Sequence, residues 1–274
     1  MSTHSTDNKG STGHPELFEK YDVPAPRYTS YPTVPYWTDN PNGEQWIESL
    51  NSSLRDGQSS WSLYCHIPFC EQLCTFCGCN TSITRDHGRE KPYIDLLHKE
   101  WSMYLEKVPA LKERELRQIH LGGGSPNFLS PANLSYLIEK FKRECRLAPN
   151  FEGSAEMNPR LTSKEQLKQL MDLGFKRISF GIQDFDLEVQ KAINRIQPFE
   201  MDKELTEYAR SIGFESVNFD LVYGLPMQTP QTAERMAELT LQLRPDRIAL
   251  YSFALVPWVK KAHNLFAEEN LPTG

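Results

Sequence analysis

The sequence predicts an α/β protein built on a parallel sheet, and three observations carry that prediction. Short β-rich runs recur from residue 61 onward, stretches of helical periodicity separate them, and two segments, MDLGFKRISFG and ARSIGFESVNFD, repeat one helix–glycine–strand unit. Strands that alternate with helices pair in parallel, because the helix supplies the long crossover that parallel neighbours need. The six β/α units in series suit either a doubly wound open sheet or a curved partial barrel. Both arrangements place ligands at the carboxyl ends of the strands.

In chain order, residues 1–16 (MSTHSTDNKGSTGHPE) offer little to bury and are expected to form a disordered tail. Residues 17–58 are expected to form an arm; its PAPRYTSYPTVPYW stretch (24–37) is too irregular for a helix and too interrupted for a central strand, so it reads as extended. The predicted strands are WSLYCHI (61–67), RQIHLG (117–122), FEGSAEM (151–157), KRISFGI (176–182), SVNFDLVYG (216–224) and DRIALYSF (246–253). Leu134, Leu137, Ile138 and Phe141 fall on one helix face, as do Leu167, Leu170 and Met171, and again Leu205, Tyr208, Ala209 and Ile212. Gly174 and Gly213 would close the helices of the repeated unit as left-handed caps. The main domain is expected to span 59–262, with 263–274 opening a further helical domain that is cut off.

Composition excludes several functions. Thirty basic and thirty-six acidic residues give a net charge of −6 without a basic stripe, so a phosphate-neutralising nucleic-acid surface is not expected. The first residues lack the apolar run of a signal peptide and no later stretch is long and apolar enough to span a membrane, so the expectation is a cytoplasmic protein. In a reducing compartment, clustered cysteines point to metal or redox chemistry rather than disulfides.

Five of the six cysteines lie in YCHIPFCEQLCTFCGCN (64–80). Structural zinc usually gathers two close pairs separated by a longer loop, which this single knot does not offer. The Cys70-x3-Cys74-x2-Cys77 spacing lets three thiolates wrap three corners of a 4Fe-4S cubane and leave one iron open. Cys65, on a strand, and Cys145, on a predicted helix, read as small packing residues. Three glycines, Gly122 to Gly124, follow a predicted strand where backbone groups can approach a ligand closely. Asp220 lies in an otherwise apolar strand, a costly place for an acid without partners; Glu156 and Gln183 suit ligand contact or the capping of a following helix.

This spacing resembles the signature of the radical S-adenosylmethionine (SAM) enzymes. Together with RYTSYPT, HLGGGSPNFL, EMNPR, SFGIQDFD, NRIQ and NFDLVYGLP, the loop resembles the oxygen-independent coproporphyrinogen III oxidase family from about Arg27 to the chain end. The resemblance implies a partial (β/α)6 TIM-like barrel of the radical SAM type, a 4Fe-4S cluster on Cys70, Cys74 and Cys77, and two SAM molecules. It implies that Tyr64, Phe76, Gly123, Gly124, Ser125, Glu156, Gln183, Arg195, Asp220 and Ala254 contact SAM. Glu156 and Asp220 suit ribose hydroxyls and Arg195 a carboxylate. Cys79 belongs to the family pattern without an assigned role, and Arg27 is a candidate for a substrate propionate.

The implied reaction passes an electron from the reduced cluster into the SAM sulfonium, releasing methionine and a 5'-deoxyadenosyl radical. That radical takes a hydrogen atom from a propionate β-carbon of coproporphyrinogen III; loss of carbon dioxide and one electron leaves a vinyl group, and two such events give protoporphyrinogen IX in heme biosynthesis. A reducing partner such as a flavodoxin-type protein and a monomeric state are expected with it. Related heme chaperones resemble the same loop but carry phenylalanine at the position of Cys79 and lack the RYTSYPT arm. A zinc scaffold without catalysis is the alternative from another class.

Overall fold

The computed structural model of the chain describes residues 36–272 together with Glu16, Lys20 and 31–33. Arg27, and all of the expected tail except Glu16, lie outside the described residues. The chain divides into two compact units, Met1–Trp46 and Ile47–Gly274, and the sheet belongs to the second. Part of the expected arm is helical. Helix α1 (Gly43–Ser53) starts at Asn42, whose side-chain oxygen accepts from the Glu44 and Gln45 amides while Gln45 Oε1 accepts from the Asn42 amide. This reciprocal cap satisfies donors that a helix start leaves free.

The second unit runs β1 (Trp61–Ile67), β2 (Phe69–Cys70), β3 (Ser82–Ile83), α2 (Glu90–Lys107), α3 (Ala110–Glu113), β4 (Glu115–Gly123), α4 (Pro131–Glu144), β5 (Arg146–Met157), α5 (Lys164–Asp172), β6 (Phe175–Gln183), α6 (Leu187–Ala192), α7 (Phe199–Ser211), β7 (Ser216–Tyr223), α8 (Pro230–Leu243) and β8 (Arg247–Ser252). Strands β2 and β3 form a small parallel ladder of their own. In the main sheet the neighbours follow chain order, β1-β4-β5-β6-β7-β8, and every pairing is parallel.

That order decides between the two architectures. A doubly wound sheet reverses its strand order at a switch point, and this one never does. Without reversal, right-handed crossovers carry every connecting helix to the same face. Ile67, Leu121, Ala155, Phe180 and Phe219 project into that helical layer and share one core with Leu137, Leu170 and Leu205. Each such leucine contributes about 1.5–3 kcal/mol of burial. The opposite face is left concave, as in a partial barrel.

Helix α5 opens with Ser163 and Gln166 capping each other's backbone amides, at 3.1 and 2.9 Å. Gly174 and Gly213 end their helices at φ +84° and +107°, as the repeated unit predicts. Two long helices, α2 and α8, have no counterpart among the periodic stretches named from sequence. Their buried stripes mix residue types, His98 with Ile94, Trp101 and Leu105 in α2 and Thr240 with Met236 and Leu243 in α8, which dilutes the apolar signal. Cys65 packs in the core and Cys145 follows α4 at its margin; burial pushes both thiols up to about 12.

Candidate functional site

A parallel sheet covered on both faces reads as continuous apolar strands. Here the strands alternate, and the residues opposite the core are polar: Tyr64 and His66 on β1, His120 on β4, Ser154 and Glu156 on β5, Ser179 on β6, Asn218 and Asp220 on β7. Register lines them into rows, with Tyr64 opposite His120, His120 opposite Ser154, and Glu156 opposite Ser179. The concave face is therefore a polar surface, and hydrogen bonds order it.

His120 links two residues of β5, meeting Ser154 Oγ at 2.7 Å through Nδ1 and Glu156 Oε1 at 3.1 Å through Nε2. The Tyr64 ring stacks on His120 with centroids 5.8 Å apart, and its hydroxyl meets His66 Nδ1 at 2.9 Å. Asp220 has the partners that a half-buried acid requires. Ser179 Oγ donates to Oδ2 and Asn218 Nδ2 to Oδ1, each at 2.9 Å. Burial pushes the Asp220 carboxyl up, nearby Glu156 adds to this, and the Ser179 and Asn218 bonds oppose it.

The glycines between β4 and the next turn make room for this arrangement. A Cβ on Gly122 would stand 2.9 Å from the Tyr64 ring and 3.0 Å from Glu156 Oε2. On Gly124 it would meet the Pro68 carbonyl oxygen at 2.5 Å and Cys70 Sγ at 3.0 Å. The glycine turn thus lets the cysteine loop lie directly against the end of β4, and the Gly124 amide donates to Ile67 O at 2.8 Å. Gly123 is the last residue of β4, beside Ile67 of β1.

Cys70, Cys74 and Cys77 lie on the loop that leaves β1, half-buried and free of disulfides. Two guanidinium groups stand behind it. Arg160 Nη2 reaches Cys74 Sγ at 3.3 Å and Arg195 Nη1 reaches it at 3.5 Å. Burial pushes the Cys70 thiol up to about 11, with Cys77 and Cys74 adding to the effect and the two arginines opposing it. The Cys77 thiol is held below its ordinary range, chiefly by hydrogen bonding with Cys79, whose amide lies 3.4 Å from its sulfur. Cys79 itself is pushed up by the same bond and by burial.

Arg195 is buried, donates to Gly181 O at 2.5 Å, and its Nε has no partner among the described residues. Gln183 ends β6 at φ +70°, a left-handed conformation rare outside glycine. Ala254 follows β8, half-buried. Phe76 packs against the small core of Val189, Ile193, Val222 and Leu225. The Ser125 hydroxyl is buried and donates to Asn127 Oδ1 at 2.6 Å. The fold therefore gathers Tyr64, Glu156, Asp220 and Arg195 around the cysteine loop. Phe76 and Ser125 face packed protein.

Sequence reasoning did not single out Arg160, His66, His120, Ser154, Ser179 or Asn218 as site residues. Arg160 closes the EMNPR motif directly after β5, and the others alternate with core residues along strands. Polar alternation in strands that also carry parallel-sheet signals was the clue available. His263, placed by sequence at the opening of a further domain, is buried against the cysteine loop, its Nε2 3.2 Å from Phe76 O.

Among the described residues, no three His, Cys, Asp or Glu side chains converge closely enough to share one metal ion. A model of the radical SAM superfamily matches residues 64–240. The oxygen-independent coproporphyrinogen III oxidase of Helicobacter pylori J99 is 43% identical over 263 residues, which cover 94% of this chain and 56% of that protein. The Escherichia coli K12 protein of the same name is 38% identical over 257 residues, or 94% of this chain and 55% of its own length. Among solved structures, the E. coli coproporphyrinogen III oxidase, a radical SAM enzyme, matches with a TM-score of 0.85 and 34% identity over 94% of this chain and 57% of that one. The chain spans a little over half the length of the curated relatives it matches.

Proposed function

The chain belongs to the radical SAM superfamily, and from that membership we propose that it binds a 4Fe-4S cluster through Cys70, Cys74 and Cys77 and acts in the oxygen-independent decarboxylation of coproporphyrinogen III to protoporphyrinogen IX. The observation that carries the proposal is one juxtaposition: three free thiols at the carboxyl end of β1, two guanidiniums against Cys74, and a concave face that presents Glu156 and Asp220. The donor set suits a cubane, because its thiolates bind different irons and stand farther apart than the ligands of a single ion. The substrate follows from the relatives' names and from the length of chain that matches them.

When bound and reduced, the cluster supplies the electron that splits SAM and so starts hydrogen abstraction. The chain's residues bind and shield. Arg160 and Arg195 offset the negative charge of the Cys74 thiolate. Arg195 is a desolvated cation with a free Nε, which suits a SAM carboxylate. Asp220, held by Ser179 and Asn218, and Glu156, held by His120, present oxygens in fixed directions to ribose hydroxyls. Tyr64 covers one side of the acids, Gly123, Gly124 and Gln183 offer backbone to two SAM molecules, Ala254 helps to enclose them, and Phe76 and Ser125 support the pocket from within packed protein. An external low-potential protein of flavodoxin type would supply electrons to a monomeric, cytoplasmic enzyme. Among the described residues no helix is long and apolar enough to cross a membrane.

Anaerobic reconstitution with iron and sulfide tests the reading in two stages. The protein is expected to turn brown, to bleach with dithionite, to form 5'-deoxyadenosine from SAM, and to convert coproporphyrinogen III propionates to vinyl groups. Cys74→Ala should abolish 5'-deoxyadenosine formation while leaving the far-ultraviolet circular dichroism unchanged. A colourless protein with stoichiometric zinc, or SAM cleavage that survives Cys74→Ala, would rule out the cluster assignment.

A further inference from the structure

We propose that Lys260 and His263, in the segment after β8, are positioning residues that hold the Cys77 end of the cysteine loop. The proposal goes beyond the cluster assignment and takes from it only that Cys77 is a ligand. The loop is fastened in two halves. In the first, Asn194 Nδ2 donates to Leu73 O at 2.8 Å, the Thr75 amide and hydroxyl donate to Ile193 O and Ala192 O at 3.1 and 3.2 Å, and Arg160 reaches Cys74. These partners come from the connection after β5 and from the end of α6 with the turn that follows it.

The second half takes different partners. Lys260 Nζ donates to Cys79 O at 2.8 Å and His263 Nε2 meets Phe76 O at 3.2 Å, so the two bonds bracket Cys77. The tautomer of His263 is set by its other nitrogen. The Val256 amide donates to Nδ1 at 3.0 Å, which leaves Nε2 to carry the proton and act as donor. His263 is buried beside Phe253 and Phe266, with ring centroids 5.3 and 6.0 Å away, so its direction is fixed by packing. Lys260 is half-buried, and its charge strengthens its bond. The segment that follows the last strand therefore acts as a strap: one neutral and one cationic donor fix the carbonyls on either side of a cluster ligand.

The test uses the whole chain and begins without a cluster. Backbone hydrogen exchange of residues 76–80 in the apo-protein is expected to quicken about tenfold in Lys260→Met, the effect of losing one charge-assisted bond, while residues 70–75 keep their rates. His263→Phe keeps the ring among its aromatic neighbours and should loosen the same peptide. Lys260→Arg should restore protection. After reconstitution, Lys260→Met should shift the cluster's reduction potential to more negative values, because a cation near the cluster stabilises its reduced form. Unchanged exchange at 76–80 in both variants, equal loosening of 70–75, an unshifted potential or failure of the arginine to restore protection would overturn the proposal. If the exchange pattern appears but no protein takes up iron, the strap stands and the cluster assignment alone falls.

Discussion

At the position of Gly124, a methyl group would meet a backbone oxygen that has little freedom to move. The Pro68 carbonyl is 2.5 Å from where a Cβ would sit, and Cys70 Sγ is 3.0 Å away. Gly124→Ala is therefore expected to destabilise the chain by about 1–3 kcal/mol, the cost of overpacking a tight site, and to lower iron uptake together with it. Denaturant unfolding and iron content measure the two effects. An alanine variant as stable as the parent, with full iron, would mean the loop can step aside. The glycines were legible in the sequence as a site of close approach, but what approaches was not: at Gly122 and Gly124 the nearest neighbours are the chain's own Tyr64, Glu156, Pro68 and Cys70. Arg160 was hidden for a related reason, because an arginine three residues past a strand is ordinary until the fold brings Cys74 to it.

The ladder of β2 and β3 begins the cysteine loop, and the turn before α2 secures it. His87 lies between two carboxylates, with Nδ1 2.7 Å from Glu90 Oε1 and Nε2 3.2 Å from Glu71 Oε1, and stacks on Phe128 at 4.3 Å. Glu90 in turn accepts from the Ser130 amide at 2.8 Å and Asn133 Nδ2 at 2.7 Å, which ties the turn to the start of α4. The bond to Glu90 raises the His87 pKa above its ordinary 6.5, burial opposes it, and the bond to Glu71 adds to the rise. A histidine with a raised folded pKa contributes its full stabilisation below the unfolded value and loses it as pH rises through the folded one. Hydrogen exchange of residues 69–71, corrected for its intrinsic pH dependence, should therefore accelerate from pH 6 to pH 9 in the parent and stay flat in His87→Gln. Matching profiles in the two proteins would remove His87 from the account. At this scale the repeated helix–glycine–strand unit was plain in the sequence, since caps and periodicity are local, whereas α2 and α8 were obscured by the polar residues His98 and Thr240 on their buried stripes.

Across the whole molecule, the cysteine loop touches segments that follow four different strands of the sheet: the turn after β4 at Gly124, Arg160 after β5, the α6 connection after β6, and Lys260 and His263 after β8. A cluster bound there stabilises all of these attachments, because a ligand that binds only the folded state adds its binding free energy to folding. Reconstituted protein should melt at a higher temperature than the apo-protein, and removal of iron by a chelator should return the midpoint to the apo value. Equal midpoints would show that the loop is mechanically separate from the sheet.

The sequence by itself determined the six strands of the main sheet, their parallel pairing and the Cys-x3-Cys-x2-Cys spacing, because periodicity, caps and residue spacing are properties of neighbouring residues. The tertiary structure alone decided that the strands run in unreversed order, which makes the sheet a partial barrel with a polar concave face. It also decided what surrounds the loop: the bonds to it from Arg160, Arg195, Lys260 and His263 span 86, 121, 181 and 187 residues of chain. No local pattern encodes contacts of that length. They exist because right-handed crossovers bring the carboxyl ends of successive strands to one rim, where residues far apart in sequence meet the same few thiols.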